Sequence, residues 1–354
     1  MGSCAATYLI VLPLRRTTAN MAKRIIDPIG VAARRAARAQ IGRLRDSKIQ
    51  RATFLRYFTA VYTFCHHLSL YNQTMAESFE CLDSQLNTYI EWLWESGQSL
   101  NDAKDVLSGC SHFLNTRRRF PGAWRLVSIW SQMELPERAP ALPPVVMQAM
   151  LGLCLQHGWI SMAATLCLGW SCILRTTEMI HVLSESISID AATCTGAVSL
   201  GLTKTGKRQG AAEMCSVDDA VCGWLVLWGL QILGSCYGPR AKYHPLMNCS
   251  PSMFRRVFDL LLEQLGLTNQ YRPYSIRRGA ATALYRTCRD IQTTLFKGRW
   301  SDARTGRIYI TEGAAAWAKQ TALPPAVTQY ALVFRQCLEQ HQIPLPATLD
   351  HRLI

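Results

Sequence analysis

A chain of 354 residues with 49% hydrophobic and 18% charged side chains has the apolar material for two packed domains, which excludes an intrinsically disordered protein. Thirty-eight Lys and Arg against 24 Asp and Glu leave a formal charge of +14, which fits a polyanionic partner. The 14 cysteines form no C-x-x-C pair and no zinc-type Cys/His spacing, so they read as reduced thiols, and neither a metal nor a cofactor is expected.

The first 60 residues hold twelve Lys/Arg and two acids, Asp27 and Asp46. Residues 1–45 read as a poorly ordered basic leader. The densest cluster of the first 60 residues, Arg34, Arg35, Arg38, Arg43, Arg45 and Lys48, is a DNA-tracking arm, a nuclear address or a solvated helix face. The apolar run 8–14 is too short for a secretory signal, and Ala6 spoils a myristoylation match. Met1 and Met21 are both open as the start. No apolar stretch is read as reaching the ~18–20 residues that span a bilayer, so no membrane partner is expected.

Helical periodicity follows over Phe54, Leu55, Phe58, Val61, Tyr62, Cys65 and Leu68. It recurs from Leu82 to Leu93 with a cap at Asp83, from Ala103 to Leu114 after Asn101, and from Trp124 to Trp130. These stripes read as the core of an all-helical domain over 46–133. Arg117, Arg118 and Arg119 face outward as candidate DNA-binding residues. Pro136, Pro140, Pro143 and Pro144 stop regular structure, which places a linker at 134–144.

The second domain, 145–345, opens with apolar helices near 145–156 and 161–173. Short strands follow at Ile187–Asp190, Val198–Thr203 and Glu213–Val217, with a turn at Thr205-Gly206. Helices return near 218–234, 251–265, 275–286, 290–297 and 301–309, and an amphipathic segment occupies 325–341. The fold class is α+β and mainly helical: an N-terminal helical domain and a mixed α/β domain with a small antiparallel sheet.

Four separated pieces carry chemistry: Leu174-Arg175-Thr176-Thr177-Glu178-Met179; Leu202-Thr203-Lys204-Thr205-Gly206-Lys207-Arg208; Tyr274-Ser275-Ile276-Arg277-Arg278-Gly279; and Gly298-Arg299-Trp300, followed by Arg307-Ile308-Tyr309. Taken singly, Arg175 is more often a helix-capping cation, Trp300 and Tyr309 core aromatics, and Lys204, Lys207, Arg278 and Arg299 solvated charges. Together, in this order and with 23 residues from Arg277 to Trp300 and 9 from there to Tyr309, they resemble the tyrosine recombinase (phage integrase) family over about 145–340. The first domain fits that family's core-binding domain by architecture alone. R-R-G-A-A-T and G-R-W-S-D look more like eukaryotic mobile-element recombinases than bacterial chromosome resolvases.

The resemblance implies DNA cleavage and rejoining through a covalent 3′-phosphotyrosine. Tyr309 is then the nucleophile. Arg175 and Arg277 clamp the phosphate oxygens, and Lys204, with Lys207 as rival, protonates the leaving 5′ oxygen. Trp300 donates its indole N–H, Glu178 orients Arg175 or the base side of the site, and Arg278 and Arg299 support. Tyr271 and Tyr330 lie at the wrong intervals to replace Tyr309. Tyr274 departs from the family, which most often has His there; a phenol donates a hydrogen bond but is a poor base near neutrality. The implied partners are double-stranded DNA and three further copies, a homo-tetramer on two duplexes closing C-shaped clamps around DNA. The segment 325–341 either docks onto a neighbouring copy or packs on its own domain. The location is nuclear for a eukaryotic chain and cytoplasmic or nucleoid otherwise. The alternatives are a type IB topoisomerase-like relaxer and a catalytically impaired DNA-binding protein.

Overall fold

The computed structural model describes residues 30–41, 49–116, 119–134, 138–201, 203, 212–310 and 322–350. Two compact units separate between Arg138 and Ala139.

The first unit begins with helix α1 (Gly30–Ile41), inside the stretch expected to be a poorly ordered leader. Alanine and arginine rank high in helix propensity, and GVAARRAARAQI holds little else. Four longer helices follow: α2 (Arg51–Leu70), α3 (Phe79–Glu95), α4 (Leu100–Phe113) and α5 (Pro121–Met133). Phe64, Leu86, Ile90, Leu107 and Phe120 are among the buried residues between them. The cap of α3 is Ser78, which accepts from the Cys81 amide, and not Asp83. Asp83 instead reaches 39 residues along the chain and accepts from the Gly122 and Ala123 amides at 2.9 and 3.0 Å, capping α5. The helix read as starting after Asn101 is capped by Ser99 in a capping box with Asp102.

The stripe on α2 is also corrected. Phe54, Leu55, Phe58 and Tyr62 are exposed, and the helix buries Phe64, His67 and Leu68. Apolar residues occupy more than one face of α2, and α4 covers the face bearing Val61, which lies against Gly109. The uncovered rings stack along the helix, Phe54 on Phe58 and Phe58 on Tyr62, each pair at 6.4 Å.

The second unit opens with α6 (Pro144–Gln156) and α7 (Ile160–Ser171), both buried on nearly every face. The one-turn-plus helix α8 (Thr176–His181) leads to the strands β1 (Ile187–Asp190), β2 (Thr195–Gly201) and β3 (Glu213–Val217). They form one antiparallel sheet in the order β1-β2-β3, with Val198 opposite both Ile187 and Cys215. The expected turn at Thr205-Gly206 lies outside the described residues.

Next come α9 (Ala220–Tyr237), α10 (Pro251–Gln264), α11 (Tyr274–Cys288), α12 (Ile291–Gly298), α13 (Ala303–Tyr309) and α14 (Pro325–Gln340). Helix α9 corrects the expectation that no apolar stretch is long enough to cross a membrane: its 18 residues carry no charge. Its inner face nevertheless packs within the unit, where a Cβ on Gly223 would lie 1.7 Å from the Cys194 carbonyl oxygen and one on Gly229 3.2 Å from Ala164. Helix α14 packs on α6 of its own unit, burying Val327, Ala331, Phe334 and Leu338. The approach is so close that a Cβ on Gly152 would lie 2.0 Å from the Tyr330 carbonyl oxygen.

Asp83→Ala leaves two amides at the start of α5 without their acceptor. The expected loss is about 1 to 2 kcal/mol of stability, read as a lower urea midpoint by circular dichroism.

Candidate active site

The candidate site is built around a buried cation. Arg277, in the first turn of α11, is 1% exposed, and its guanidinium donates to the carbonyls of Ile173 and Gly298 (the latter at 2.7 Å). Each carbonyl lies at a helix C-terminus: Ile173 follows α7, and Gly298 ends α12. Such ends carry unsatisfied carbonyls and a partial negative charge, so they offset part of the cost of burying a cation. Ile173 itself, and Arg299 directly after Gly298, adopt a left-handed backbone, at φ 49° and 56°. For a β-branched isoleucine that conformation is strained, by about 1–2 kcal/mol.

Around Arg277 the aromatic wall closes. Its guanidinium carbon lies 4.7 Å from the Trp300 ring centre and 5.5 Å from that of Tyr309. Trp300 and Tyr309 face each other at 4.5 Å. The Tyr274 hydroxyl donates to the Tyr309 hydroxyl at 2.6 Å. Among the described residues, Nε of Arg277 and Nε1 of Trp300 are buried without a hydrogen-bond acceptor. Buried donors are normally paired, so an oxyanion bound beside Tyr309 would suit them.

A second guanidinium comes from α8. Arg175 precedes that helix, and its Nη1 donates to Glu178 Oε1 at 2.6 Å while its amide donates to Oε2 at 2.8 Å. Glu178 Oε2 also accepts from Arg299 Nη2 at 2.6 Å. Arg299 was read as a solvated or supporting charge; it is buried and ion-paired to both Glu178 and Glu213. Arg278 is buried as well. It donates to the carbonyls of Ala139 and Ile308, and so fixes the end of α13 just before Tyr309. The Tyr309 carbonyl accepts from Thr282 of α11.

The electrostatics follow from this packing. Burial, then the neighbouring Arg175 and Arg299, pulls the pKa of Arg277 down to about 10. For Arg175, burial acts downward, but hydrogen bonding and charge from Glu178 outweigh it and the net shift is upward. Tyr274 is pushed above the usual phenol range by burial and by its bond to Tyr309, against the opposing pull of Arg277 and Arg175. At neutral pH Tyr274 is therefore a proton-bearing donor and not a base.

The structure thus brings together Arg175, Glu178, Tyr274, Arg277, Arg278, Arg299, Trp300 and Tyr309. Lys204, Lys207, Arg117 and Arg118 lie outside the described residues. Arg119 is exposed in the first unit and sits 5.4 Å over the Phe79 ring. Tyr271 and Tyr330 are both half-buried. Residues to which the sequence reading gave no role in the site include Ile173, Gly298, Glu213 and Cys215. The first two act through backbone carbonyls, which no residue type announces.

Among the described residues, one group with metal-ligand chemistry comes together, Cys167, Asp219 and Cys222. It lies in the core between α7 and α9, where burial drives the Cys222 thiol well above its ordinary pKa and holds it protonated. The described cysteines are all unpaired thiols.

No protein-family model matches the chain, and no curated protein matches it significantly. Among solved structures, it is similar to a crystal structure of XerA recombinase, at 15% identity and a TM-score of 0.40, covering 85% of this chain and 96% of that one. It is also similar to XerH site-specific recombinase bound to difH substrate in a pre-cleavage complex, at 12% identity and a TM-score of 0.42, covering 76% and 95%. Likeness at this level defines no activity; the chemistry has to come from the site's own residues.

Gly298→Ala tests the wall. Its Cβ would lie 1.9 Å from the Trp300 ring, so the indole has to move. The expected result is a changed tryptophan near-UV signal together with a stability loss of about 1–3 kcal/mol.

Proposed function

We propose that this chain cuts and rejoins double-stranded DNA as a tyrosine recombinase, with Tyr309 forming a covalent 3′-phosphotyrosine. The observation that carries the reading is the phenol of Tyr309 held against a buried guanidinium and an indole whose Nε and Nε1 donors find no acceptor among the described residues. A phosphodiester supplies what those donors lack, a compact anion with oxygens to share.

In the proposed step the Tyr309 oxygen bonds to phosphorus as the bond to the 5′ oxygen breaks. The phenol proton passes to solvent water, and the 5′ oxygen takes up a proton from Lys204 or Lys207. Arg175 and Arg277 neutralise the non-bridging oxygens, and Trp300 adds a neutral donor. A preorganised donor of this type is worth roughly 3–4 kcal/mol of barrier. The phosphotyrosine conserves the energy of the broken bond, so a 5′ hydroxyl reverses the reaction without a nucleotide cofactor. Tyr274 serves as a hydrogen-bond donor to the nucleophile's oxygen. The net charge of +14 supports a DNA partner. Recombination would engage four copies on two duplexes, and a eukaryotic chain of this kind would act in the nucleus.

A pool of nicked duplexes of randomised sequence traps the adduct, because the released fragment diffuses away. Wild-type protein is expected to give a covalent band on a denaturing gel, and Tyr309→Phe none. Arg277→Lys should slow formation by roughly 10²–10³. No wild-type band, or a band that persists in Tyr309→Phe, would falsify the assignment. Relaxation of supercoiled plasmid without any species bridging two duplexes would favour the topoisomerase-like alternative.

Tyr274→Phe keeps the ring and deletes the donor, and should slow single-turnover cleavage. Tyr274→His introduces a base near neutrality and should cleave at least as fast as wild type. Equal rates for Phe and wild type would remove Tyr274 from the chemistry.

A further inference from the structure

Four charges of alternating sign run in a line through the second unit: Arg175, Glu178, Arg299 and Glu213. Arg175 Nη1 meets Glu178 Oε1 at 2.6 Å, Arg299 Nη2 meets Glu178 Oε2 at 2.6 Å, and Arg299 Nε lies 3.3 Å from Glu213 Oε2. Three of the four side chains are nearly enclosed, at 11, 8 and 10% exposure for Glu178, Arg299 and Glu213. The remaining guanidinium nitrogen of Arg299, Nη1, contacts Cys215 Sγ at 2.6 Å.

Charges buried in this way rarely add stability over an apolar filling of the same volume. What they add is geometry, and Arg299 sits where three parts of the candidate site meet. Through Glu178 it reaches the carboxylate that grips Arg175. Through Glu213 and Cys215 it reaches β3, whose first residue pairs with Gly201 of β2. Lys204 and Lys207 lie in sequence between those two strands. By the chain itself it adjoins Gly298, whose carbonyl holds Arg277, and Trp300 of the wall. Two of its nitrogens make hydrogen bonds, Nη2 to Glu178 and Nη1 to Cys215, while the Glu213 carboxylate is held by charge alone; a lysine ammonium on its flexible stem cannot fix those angles.

Resting on the function proposed above, we infer that Arg299 is a positioning residue that couples Arg175 to strand β3. It aims Arg175 through Glu178, and it ties that carboxylate to β3 through Cys215 and the charge of Glu213. It does not touch the phosphate. Its loss therefore slows the chemical step and leaves DNA affinity largely unchanged, because misplacement by about 1 Å costs roughly 10²-fold in rate.

The test combines single-turnover adduct formation on the nicked duplex, the DNA concentration at half-saturation, and backbone amide exchange, all on the full chain. Arg299→Met is expected to slow cleavage by roughly ten- to a hundredfold with half-saturation within about twofold. Arg299→Lys should recover only part of the rate. Glu178→Gln combined with Arg299→Met should be no slower than the worse single variant, since both act on Arg175 by one route. Multiplying effects, a wild-type rate in Arg299→Met, or weakened DNA binding that accounts for the whole loss would overturn the proposal. Should Arg299→Met fail to fold, Glu213→Gln, which severs the strand arm alone, carries the same rate test. If the wild-type chain yields no adduct, it is the assigned function that fails. The coupling is then judged by exchange: amides of 176–181 and 213–217 should both quicken in Arg299→Met or Arg299→Lys, and unchanged exchange in both segments refutes it.

Discussion

An arginine with 1% of its surface exposed, Arg277, sets the arrangement of the second unit. An isolated buried cation is costly, and the cost falls when hydrogen bonds satisfy it. Arg277 meets that condition with two carbonyls taken from the ends of α7 and α12, where helix geometry leaves acceptors free. Those helices must therefore stop at these points and aim at α11. The left-handed turns at Ile173 and Arg299 are how the chain stops them, and at Ile173 the turn is strained. The same cation carries the Trp300 and Tyr309 rings on its faces, so helix ends, aromatic wall and phenol share one origin.

The neighbouring charges complete the balance. Arg175 and Arg299 crowd Arg277 and pull its pKa down, while Glu178 bridges those two arginines and opposes that pull. The region keeps a surplus of cationic donors with an exposed Tyr274 at its edge, bonded to Tyr309. Such a surplus is poorly served by protein groups alone. An anion of the phosphate type would bring acceptors to the unpaired donors and opposite charge to the guanidiniums.

Much of the fold was legible from periodicity. The apolar helices α6 and α7, the strands at Ile187–Asp190 and Glu213–Val217, and the helices from α9 to α14 lie close to where their patterns put them. The failures have identifiable causes. Asp83 has the right chemistry for a cap, but it caps a helix 39 residues away, a pairing that local sequence cannot announce. The α2 stripe is apolar on more faces than α4 covers, and periodicity does not say which face wins. Helix α1 was hidden by its charge, although alanine and arginine favour helix.

By itself the sequence determined the reactive inventory: two arginines, a tryptophan and a tyrosine at fixed intervals, within a basic chain of helices around a small sheet. Side-chain chemistry and spacing are local properties, and they survive in a string of letters. Tertiary structure alone decided that Arg299 and Arg278 are buried and engaged, that Tyr274 points its proton at Tyr309, and that α14 closes on its own unit. Each of those depends on backbone carbonyls, on burial, or on partners more than twenty residues away, and none of these is a property of the residue taken alone.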